Sequence, residues 1–182
     1  MALTLLCIAT YRKGDAFLRE CKRQGCRVLL VTEEKLRDAV RALSEESRYS
    51  RFMSALRELT PQMLERATRP DAERELQLVA VVGEGKEERI VGGARYAAAP
   101  GSANCEFAVA VVDEWHGLGL ARQLLEALMR TARARGFEHM EGYILATNAP
   151  LLGLAKRLGF VPVESPEGPA VRLVRRDLRA KN

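Results

Sequence analysis

The stretch from residue 104 to residue 125 carries the residues best suited to chemistry. It begins as a β-branched, apolar run that contains one carboxylate, Glu106. It then passes through a two-glycine turn, Gly117-Leu118-Gly119, and continues with apolar residues at the spacing of a helix. Glycines let a ligand approach the backbone closely, and the first N–H groups of a helix point at any anion bound there. The pattern predicts a phosphate-binding turn between a strand and a helix.

Composition narrows the class of protein that surrounds this stretch. The 182 residues are enough for one well-buried domain. The formal charge is +5, but acidic and basic residues are interspersed and form no Lys/Arg block, so no nucleic-acid partner is predicted. The basic lean also suits an anionic cofactor. No apolar run approaches membrane-spanning length, so no membrane partner is predicted either.

The cysteines and histidines are not spaced as metal ligands. Cys7, Cys21, Cys26 and Cys105 form no CxxC pair, and the whole chain has two histidines. We therefore predict no metal site and a reducing, cytoplasmic location. Cys7 and Cys105 lie in apolar runs, where cysteine packs as a small hydrophobic residue. The apolar start of the chain lacks the basic region and cleavage site of a signal peptide, and it predicts a strand.

The N-terminal segment predicts a small unit of its own. A strand at 3–9 is followed by a helix that Asp15 caps and Gly25 ends, and then by a strand at 27–31. This minimal β-α-β pattern predicts two parallel neighbouring strands. We expect a soft boundary, with an N-terminal β-α extension at 1–26 and the main domain at 27–182.

The run from Cys7 to Cys26, Cys-Ile-Ala-Thr-Tyr-Arg-Lys-Gly-Asp-Ala-Phe-Leu-Arg-Glu-Cys-Lys-Arg-Gln-Gly-Cys, resembles the first β-α unit in the N-terminal domain of some ATP-grasp ligase-like proteins. The resemblance covers residues 1–38 and assigns no ATP-binding residue. The alternative is an extra β-α element packed on the main domain.

The rest of the chain predicts alternating groups of helices and strands. Thr60-Pro61 starts a helix, Gly92-Gly93 allows a bulge in a strand, and Asn148 caps a helix that Gly159 ends. Predicted helices cover 33–43, part of 44–53, 60–67, 120–135 and 149–158, and predicted strands cover 76–82, 90–97, 104–111, 139–146, a run from 160, and 170–176.

This order, with His116-Gly-Leu-Gly-Leu-Ala121 and Leu158-Gly159-Phe160, resembles the GNAT superfamily of acyl-CoA-dependent N-acetyltransferases over residues 27–178. The family motif is Gln/Arg-x-x-Gly-x-Gly/Ala; here His116 replaces the first residue, while Gly119 and Ala121 match. The resemblance implies an α/β (α+β) fold: a central mixed, mostly antiparallel twisted sheet flanked by helices, here with the added N-terminal β-α unit. It also implies acetyl-CoA as co-substrate.

Within the superfamily, three segments resemble the acetyltransferase domain of bacterial Pat-type protein lysine acetyltransferases. They are Ser-Glu-Glu-Ser-Arg-Tyr-Ser-Arg-Phe-Met at 44–53, Leu-Arg-Glu-Leu at 56–59 and Glu-Phe-Ala-Val at 106–109. This resemblance implies a protein lysine as acceptor. The alternatives are a small amine or antibiotic, and a CoA-binding module without activity.

The resemblance also implies where acetyl-CoA binds. Its pyrophosphate would rest on the backbone of the glycine turn, its pantetheine arm would run along the preceding strand, and Asn148 would lie near the arm. Arg122 is otherwise a solvated helix residue, His116 a neutral turn residue, and the strand side chains part of the core. The implied contacts are Val109, Ala110 and Val111 for the arm, and His116, Gly117, Leu118, Gly119, Leu120, Ala121 and Arg122 for the phosphates.

Glu106 is the predicted catalytic residue. A lysine amine has a pKa near 10.4, so it is almost entirely protonated at neutral pH and needs a base before it can attack. A positioned carboxylate contributes about 10²–10⁴ in rate. A carboxylate in an apolar strand is costly unless it is paired or functional, and the alternative is a structural ion pair with an arginine.

The resemblance fails at one catalytic position. Many members of the superfamily carry a tyrosine general acid where this chain has Ala155. A thiol pKa near 8.5 makes the CoA thiolate a tolerable leaving group without strong acid help. Tyr96 and Tyr143 are expected to pack in the strand core, and the alternative is that they reach the site. A homodimer through an exposed strand edge is a further possibility.

Overall fold

The computed structural model describes residues 4–8, 33–68, 71, 73–83 and 87–179. Its centre is a seven-stranded mixed sheet in the order β1-β2-β3-β4-β5-β7-β6, in which only β4 and β5 run parallel. The strands are β1 (Thr4–Ile8), β2 (Glu75–Val82), β3 (Arg89–Ala97), β4 (Asn104–Val111), β5 (His139–Leu145), β6 (Val161–Val163) and β7 (Val171–Asp177).

Helices cover both faces of this sheet. The bounds are α1 (Glu33–Arg41), α2 (Glu45–Phe52), α3 (Pro61–Thr68), α4 (Leu120–Ala134) and α5 (Ala149–Arg157). On one face, Leu36 of α1 and Leu64 of α3 pack with Val79, Val81 and Ile90 of the sheet. On the other face, α4 and α5 bury a larger core. We call these the α1 face and the α4 face. The predicted GNAT architecture is confirmed.

The sequence explains both cores through strand alternation. In β2, Leu78 and Ala80 point to the α4 face while Val79 and Val81 point to the α1 face. A strand covered on both sides needs apolar residues at successive positions, which is why β2 is a nearly continuous apolar run. Cys105 is buried in the α4-face core, where burial raises the pKa of its thiol to about 12, and its predicted packing role is confirmed.

The first strand belongs to the same sheet as the main domain. β1 pairs antiparallel with β2, from Thr4 opposite Val81 to Ile8 opposite Gln77. The predicted strand at 27–31 and the helix before it lie outside the described residues. The parallel pairing, the resemblance of this segment to ATP-grasp-like proteins and the boundary near residue 26 therefore stay predictions.

The predicted bulge at Gly92-Gly93 is confirmed, and it brings α4 close to the sheet. Ile90 pairs with Val81 and Gly92 with Ala80, so β3 has one extra residue at this point. A β-carbon on Gly92 would lie 3.2 Å from a methyl carbon of Leu120, the first residue of α4. The missing side chain thus allows the start of α4 to rest directly on the strand.

The predicted helix boundaries agree with the structure to within about two residues. Thr60 caps α3 by accepting a hydrogen bond from the N–H of Met63 at 3.2 Å, and Pro61 is the first helical residue, as the sequence predicts. α1 ends at Arg41, two residues before its predicted end. Ser44 caps α2 by accepting a hydrogen bond from the N–H of Ser47 at 3.1 Å.

Candidate active site

β4 and β5 separate in the middle of the sheet, and this separation organises the site. Their parallel ladder joins Asn104–Glu106 to His139–Glu141, and the described ladder ends there. The next register position would pair Phe107 with Gly142. The Phe107 ring instead takes the place that a side chain at Gly142 would need, and it packs against Phe160 in a tilted arrangement with ring centroids 5.1 Å apart. Beyond this pair the two strands leave a wedge between their backbones.

The glycine turn lies after β4, where the sequence predicts it. Gly117 has φ +74° and Gly119 has φ +79°, a conformation that other residues adopt only with strain. A β-carbon on either glycine would meet nothing within 4 Å, so the turn faces open space. No side chain caps α4 at Gly119, which leaves the first N–H groups of the helix available to an anion.

His116 holds this turn against the end of β4. Its Nε2 atom lies 2.8 Å from the carbonyl oxygen of Val111. A carbonyl only accepts hydrogen bonds, so Nε2 carries the proton and donates it. The imidazole that replaces the Gln/Arg of the family motif therefore fixes the geometry between the strand and the turn.

The other turn residues divide between the core and solvent. Leu120 is buried in the α4-face core, and Ala121 packs against that core. Leu118 is 66% exposed. Arg122 is exposed and donates from Nε to Glu126 at 2.8 Å, one helical turn further along. This ion pair on the helix surface agrees with the solvated-residue alternative for Arg122.

The three β4 residues predicted to contact the pantetheine arm divide between the two faces of the sheet. Val111 is buried on the α4 face and Val109 packs against the same core, whereas Ala110 lines a cavity on the α1 face. Their side chains hold the strand in the sheet. Their backbone groups border the wedge opposite β5, so both roles considered for these residues are compatible.

α5 has the predicted cap but presents no acid at the predicted position. Asn148 Oδ1 accepts a hydrogen bond from the N–H of Leu151 at 3.1 Å. Ala155 is fully buried in the α4-face core. Even a small side chain at this position therefore points into the core in the present fold.

Glu106 points to the α1 face at the last paired position before the wedge. Among the described residues its carboxylate forms no ion pair, which disfavours the structural ion-pair alternative. Desolvation by the walls of the site raises the pKa of Glu106, and the Glu141 carboxylate acts in the same direction. The positive charges of Arg95 and Arg51 oppose them. The carboxylate is therefore a stronger base than a solvated glutamate.

The neighbouring carboxylate, Glu141, is paired with an arginine. Glu141 is the Cα partner of Glu106 across β4 and β5. It accepts hydrogen bonds from Arg175 Nε at 2.6 Å and from Asn104 Nδ2 at 3.3 Å. Of the two adjacent carboxylates, the free one is Glu106.

A polar cleft of about 620 Å³ opens beside Glu106. The ends of α2 and α3, the segment before β2, and strands β3 and β4 form its walls. Its charged lining residues are Arg51, Arg66, Asp71, Arg74, Glu75, Arg95 and Glu106. Such a cleft can hold a polar or charged acceptor next to the carboxylate.

The structure separates the two tyrosines of the sequence analysis. Tyr96 is fully buried, and its hydroxyl accepts a hydrogen bond from Arg135 at 2.9 Å, as core packing predicts. Tyr143 is half-buried on the α1 face of β5, where desolvation and the charges of Glu106 and Glu141 raise its pKa. The expectation of core packing therefore fails for Tyr143, because that position of β5 faces the cleft side of the sheet.

α2 is tied to the turn that follows β4. Ser47 Oγ donates a hydrogen bond to Asp113 Oδ1 at 2.9 Å. Hydrogen bonds from Ser44 and Ser47 hold the pKa of Asp113 below its usual range. Arg48 Nη1 also donates to the Leu43 carbonyl at 2.6 Å, which fixes the turn between α1 and α2. Arg51, at the other end of α2, is thereby positioned on the wall of the cleft.

The arginines of the cleft do not follow from the sequence pattern. Arg95 stands between Ala94 and Tyr96, and strand alternation alone places it opposite to the core. Antiparallel pairing then brings it close to Glu106, since its partner is Ala108. Arg51 lies in a segment quoted for its resemblance, but no spacing within the sequence connects it to β4.

The part of the chain that the structure describes contains no group of His, Cys, Asp and Glu side chains arranged to hold a metal ion. None of its helices is long and apolar enough to cross a membrane.

Comparison with known proteins places this geometry among acetyltransferases. The model of the acetyltransferase (GNAT) family matches residues 39–160. Acetyltransferase PA5475 of Pseudomonas aeruginosa is 35% identical over 134 residues, which are 74% of this chain and 72% of that protein.

Two further proteins are similar to this chain over different lengths. The GNAT domain of S. lividans PAT superposes with a TM-score of 0.73 at 26% identity, covering 80% of this chain and 84% of that one. An L-methionine sulfoximine/L-methionine sulfone acetyltransferase of Pseudomonas paraeruginosa is 47% identical over 55 residues, 30% of this chain and 32% of that protein.

Proposed function

The chain belongs to the acetyltransferase (GNAT) family, and we propose that it moves the acetyl group of acetyl-CoA to the side-chain amine of a protein lysine. The amine attacks the thioester directly in a ternary complex, with Glu106 as the general base. The observation that carries this proposal is the unpaired Glu106 carboxylate at the point where β4 and β5 separate.

The donor would lie along the wedge. The backbone of 109–111 would carry the pantetheine arm, and the N–H groups of 117–122 would carry the pyrophosphate. Open space around Gly117 and Gly119 and the uncapped start of α4 support this position. The helix dipole adds a favourable term of about 0.3–1 kcal/mol for an anion at such a terminus. By resemblance, Asn148 would add a contact near the arm and Arg122 one to the pyrophosphate.

The reaction needs few protein groups. Glu106 takes a proton from the acceptor ammonium, directly or through a water, and the neutral amine then attacks the thioester carbonyl carbon. The C–N bond forms, the C–S bond breaks, and CoA leaves as a thiolate, while the attacking nitrogen releases its remaining extra proton to that thiolate or to water. Because a thiol pKa is near 8.5, the thiolate leaves without strong acid help, which is compatible with alanine at position 155. A backbone N–H of β4 would stabilise the charge that develops on the carbonyl oxygen.

The resemblance of three sequence segments to Pat-type protein lysine acetyltransferases supports a protein lysine as the acceptor, and the GNAT domain of S. lividans PAT is similar in structure. We would incubate the protein with acetyl-CoA and a whole-cell lysate, and identify acetylated lysines by mass spectrometry while measuring released CoA. Wild type should acetylate a defined set of lysines, and Glu106→Gln should not. Binding of acetyl-CoA without CoA release on any amine, peptide or protein would overturn the proposal and favour a binding module.

A small-molecule amine is the second candidate. The name of the Pseudomonas paraeruginosa relative supports it, since that protein acetylates amino-acid-like compounds. The charged cleft beside Glu106 is of a size that suits such a compound. A panel of small amines in the same CoA-release assay separates this candidate from lysine acetylation.

A further inference from the structure

The cleft beside Glu106 has two positive charges without an internal partner. Arg74 forms an ion pair with Asp71, and Arg95 forms one with Glu75 at 3.4 Å. Among the described residues that line the cleft, Arg51, Arg66 and Glu106 take part in no ion pair. Positive charge therefore exceeds negative charge at the place where the acceptor must enter.

Arg51 is the more unusual of the two arginines. It lies in the last turn of α2, half-buried, with its guanidinium 4.9 Å from the ring centre of Phe52. Within the described ranges no hydrogen bond or ion pair to this guanidinium is found. Burial, followed by the charge of Arg95, lowers its pKa to about 10, so it is still a cation at neutral pH. A partly buried cation without a partner is costly unless a ligand supplies the negative charge.

Arg51 and Glu106 face each other across the cleft without touching. Each shifts the pKa of the other, so the two charges interact, but they form no ion pair. Arg95 also lowers the pKa of Glu106 and stands beside both. The space between a base and an arginine is suited to a group that has an ammonium at one end and an anion at the other.

An apolar cavity of about 250 Å³ continues from the same arginines under α1 and α3. Arg51, Arg66 and Arg95 line both spaces, so they form the border between them. The apolar walls include Val40, Phe52, Met63 and Ile90, with Gly93 and Ala110 at the floor. An acceptor therefore meets a base, a cation and an apolar chamber within one continuous site.

We propose that the acceptor carries a carboxylate beside its reacting amine, and that Arg51 binds this carboxylate while the amine faces Glu106. This inference rests on the proposed acetyl transfer and deepens it by naming the acceptor chemistry. The carboxylate belongs either to a free α-amino acid with an apolar side chain or to an acidic residue next to the reactive lysine of a peptide. In both cases a planar guanidinium matches the carboxylate with two parallel hydrogen bonds.

Arg51 is a specificity-determining residue in this arrangement, because it touches the acceptor away from the reacting atoms. Its loss should raise the KM of carboxylate-bearing acceptors more than it lowers kcat. Hydrogen bonds to a charged group discriminate by about 10- to 100-fold. We expect a preference of that order for the acid over its neutral amide.

The test compares two matched pairs of acceptors with the wild-type protein. One pair is L-methionine and L-methioninamide; the other is a peptide whose lysine follows glutamate and the same peptide with glutamine. Steady-state CoA release gives kcat/KM for each. Losing the carboxylate makes the methionine amine less basic and more often neutral, so a preference for the acid cannot come from the amine itself. The pair that shows the preference identifies the source of the carboxylate.

The variants Arg51→Gln and Arg41→Gln then form a matched comparison. Arg51→Gln should remove the preference for the acid, while Arg41→Gln, which lies outside the cleft and whose charge already pairs with Glu58, should keep it. Acetyl-CoA affinity, measured by calorimetry, reports whether either variant is folded. If Arg51→Gln does not fold, Arg51→Lys, which keeps the charge but not the two-point geometry, should weaken the preference.

The outcomes separate the two claims. Equal turnover of acid and amide in both pairs by wild type would overturn the inference and leave the acetyl transfer standing. A preference that Arg51→Gln keeps in full would also overturn it. Absence of CoA release with all four acceptors, beside acetylated lysines in the lysate assay, would overturn the inference alone. Absence of CoA release in both assays would overturn the proposed function and the inference with it.

Discussion

The two halves of the site are built from different parts of the chain. The proposed donor half, the glycine turn at 117–119 with the start of α4, offers backbone N–H groups within one short segment. The proposed acceptor half, the cleft beside Glu106, is made of side chains that come from α2, α3, the segment before β2, and strands β2, β3 and β4. The first half depends on backbone conformation, and the second on which side chains the tertiary structure brings together.

This difference predicts that the halves respond to mutation separately. A binding site made of backbone N–H groups tolerates most side-chain changes, but it is sensitive to any residue that cannot adopt a positive φ. A side-chain cleft changes its selectivity with single substitutions while its scaffold persists. Variants in one half should therefore change the kinetic constants of one substrate and leave those of the other nearly unchanged.

The largest effect is expected for Glu106→Gln. Glutamine keeps the shape but cannot accept the proton, so kcat should fall by about 10²–10⁴. Acetyl-CoA affinity by isothermal titration should stay close to that of wild type, because the donor half is untouched. Glu164→Gln, an exposed acid beyond β6, serves as the control. Undiminished turnover in Glu106→Gln would remove Glu106 from the mechanism.

The next effect is expected for Gly119→Ala in the donor half. A positive φ of +79° strains an alanine by about 1–2 kcal/mol, and the added methyl group enters the open side of the turn. The Kd for acetyl-CoA should rise by about tenfold, or about 1.4 kcal/mol.

Gly136→Ala is the matched control for this change. Gly136 has φ +85° and similarly open surroundings, but it follows the far end of α4. It should lose a comparable free energy of unfolding in urea titration and keep its acetyl-CoA affinity. Equal Kd changes in both variants would show that general destabilisation, and not the phosphate seat, causes the loss.

A smaller effect is expected in the pH profile of the acceptor half. The raised pKa of Glu106 places the acidic limb of kcat above the usual range of a glutamate, since the base works only when deprotonated. The Glu141 carboxylate contributes to this rise, so Glu141→Gln should lower the pKa of Glu106 and move the limb to lower pH. Glu138→Gln, whose partner is Arg179, should not move it. An unmoved limb in Glu141→Gln would contradict the electrostatic coupling.

The smallest effect is expected at His116. His116→Ala removes the hydrogen bond to the Val111 carbonyl, which stabilises the binding conformation of the turn by about 1 kcal/mol. The affinity for acetyl-CoA should therefore fall about fivefold. His116→Gln restores a donor and should stay within about twofold of wild type. If the two variants bind acetyl-CoA equally well, the imidazole has no positioning role.

The same difference explains what the sequence could predict. The turn at 117–119, the caps at Thr60 and Asn148 and the bulge near Gly92 follow from residues that are close in sequence and have strong backbone preferences. Such features are local, so the strand–turn–helix was predicted before any contact was known.

The cleft could not be predicted in the same way. Arg51 and Glu106 are 55 positions apart in the sequence, and they line one cleft only because α2 lies beside β4. Strand β3 brings Arg95 into the same cleft. The sequence predicts a core position for Tyr143 because side-chain alternation along a strand gives two faces of the sheet but does not show which face a helix covers. For the same reason, the charge balance of the cleft depends on the strand register and does not follow from the sequence alone.

The hydrogen bond between Ser47 and Asp113 joins the two halves, since it links the helix that carries Arg51 to the segment that enters the glycine turn. This contact has an evolutionary consequence. Elsewhere, acceptor preference can diverge in a lineage while the use of acetyl-CoA is conserved. A substitution at Ser47 or Asp113 affects both halves of the site. Its fitness effect should therefore depend on which residues the two halves carry, so these two positions should show epistasis with either half.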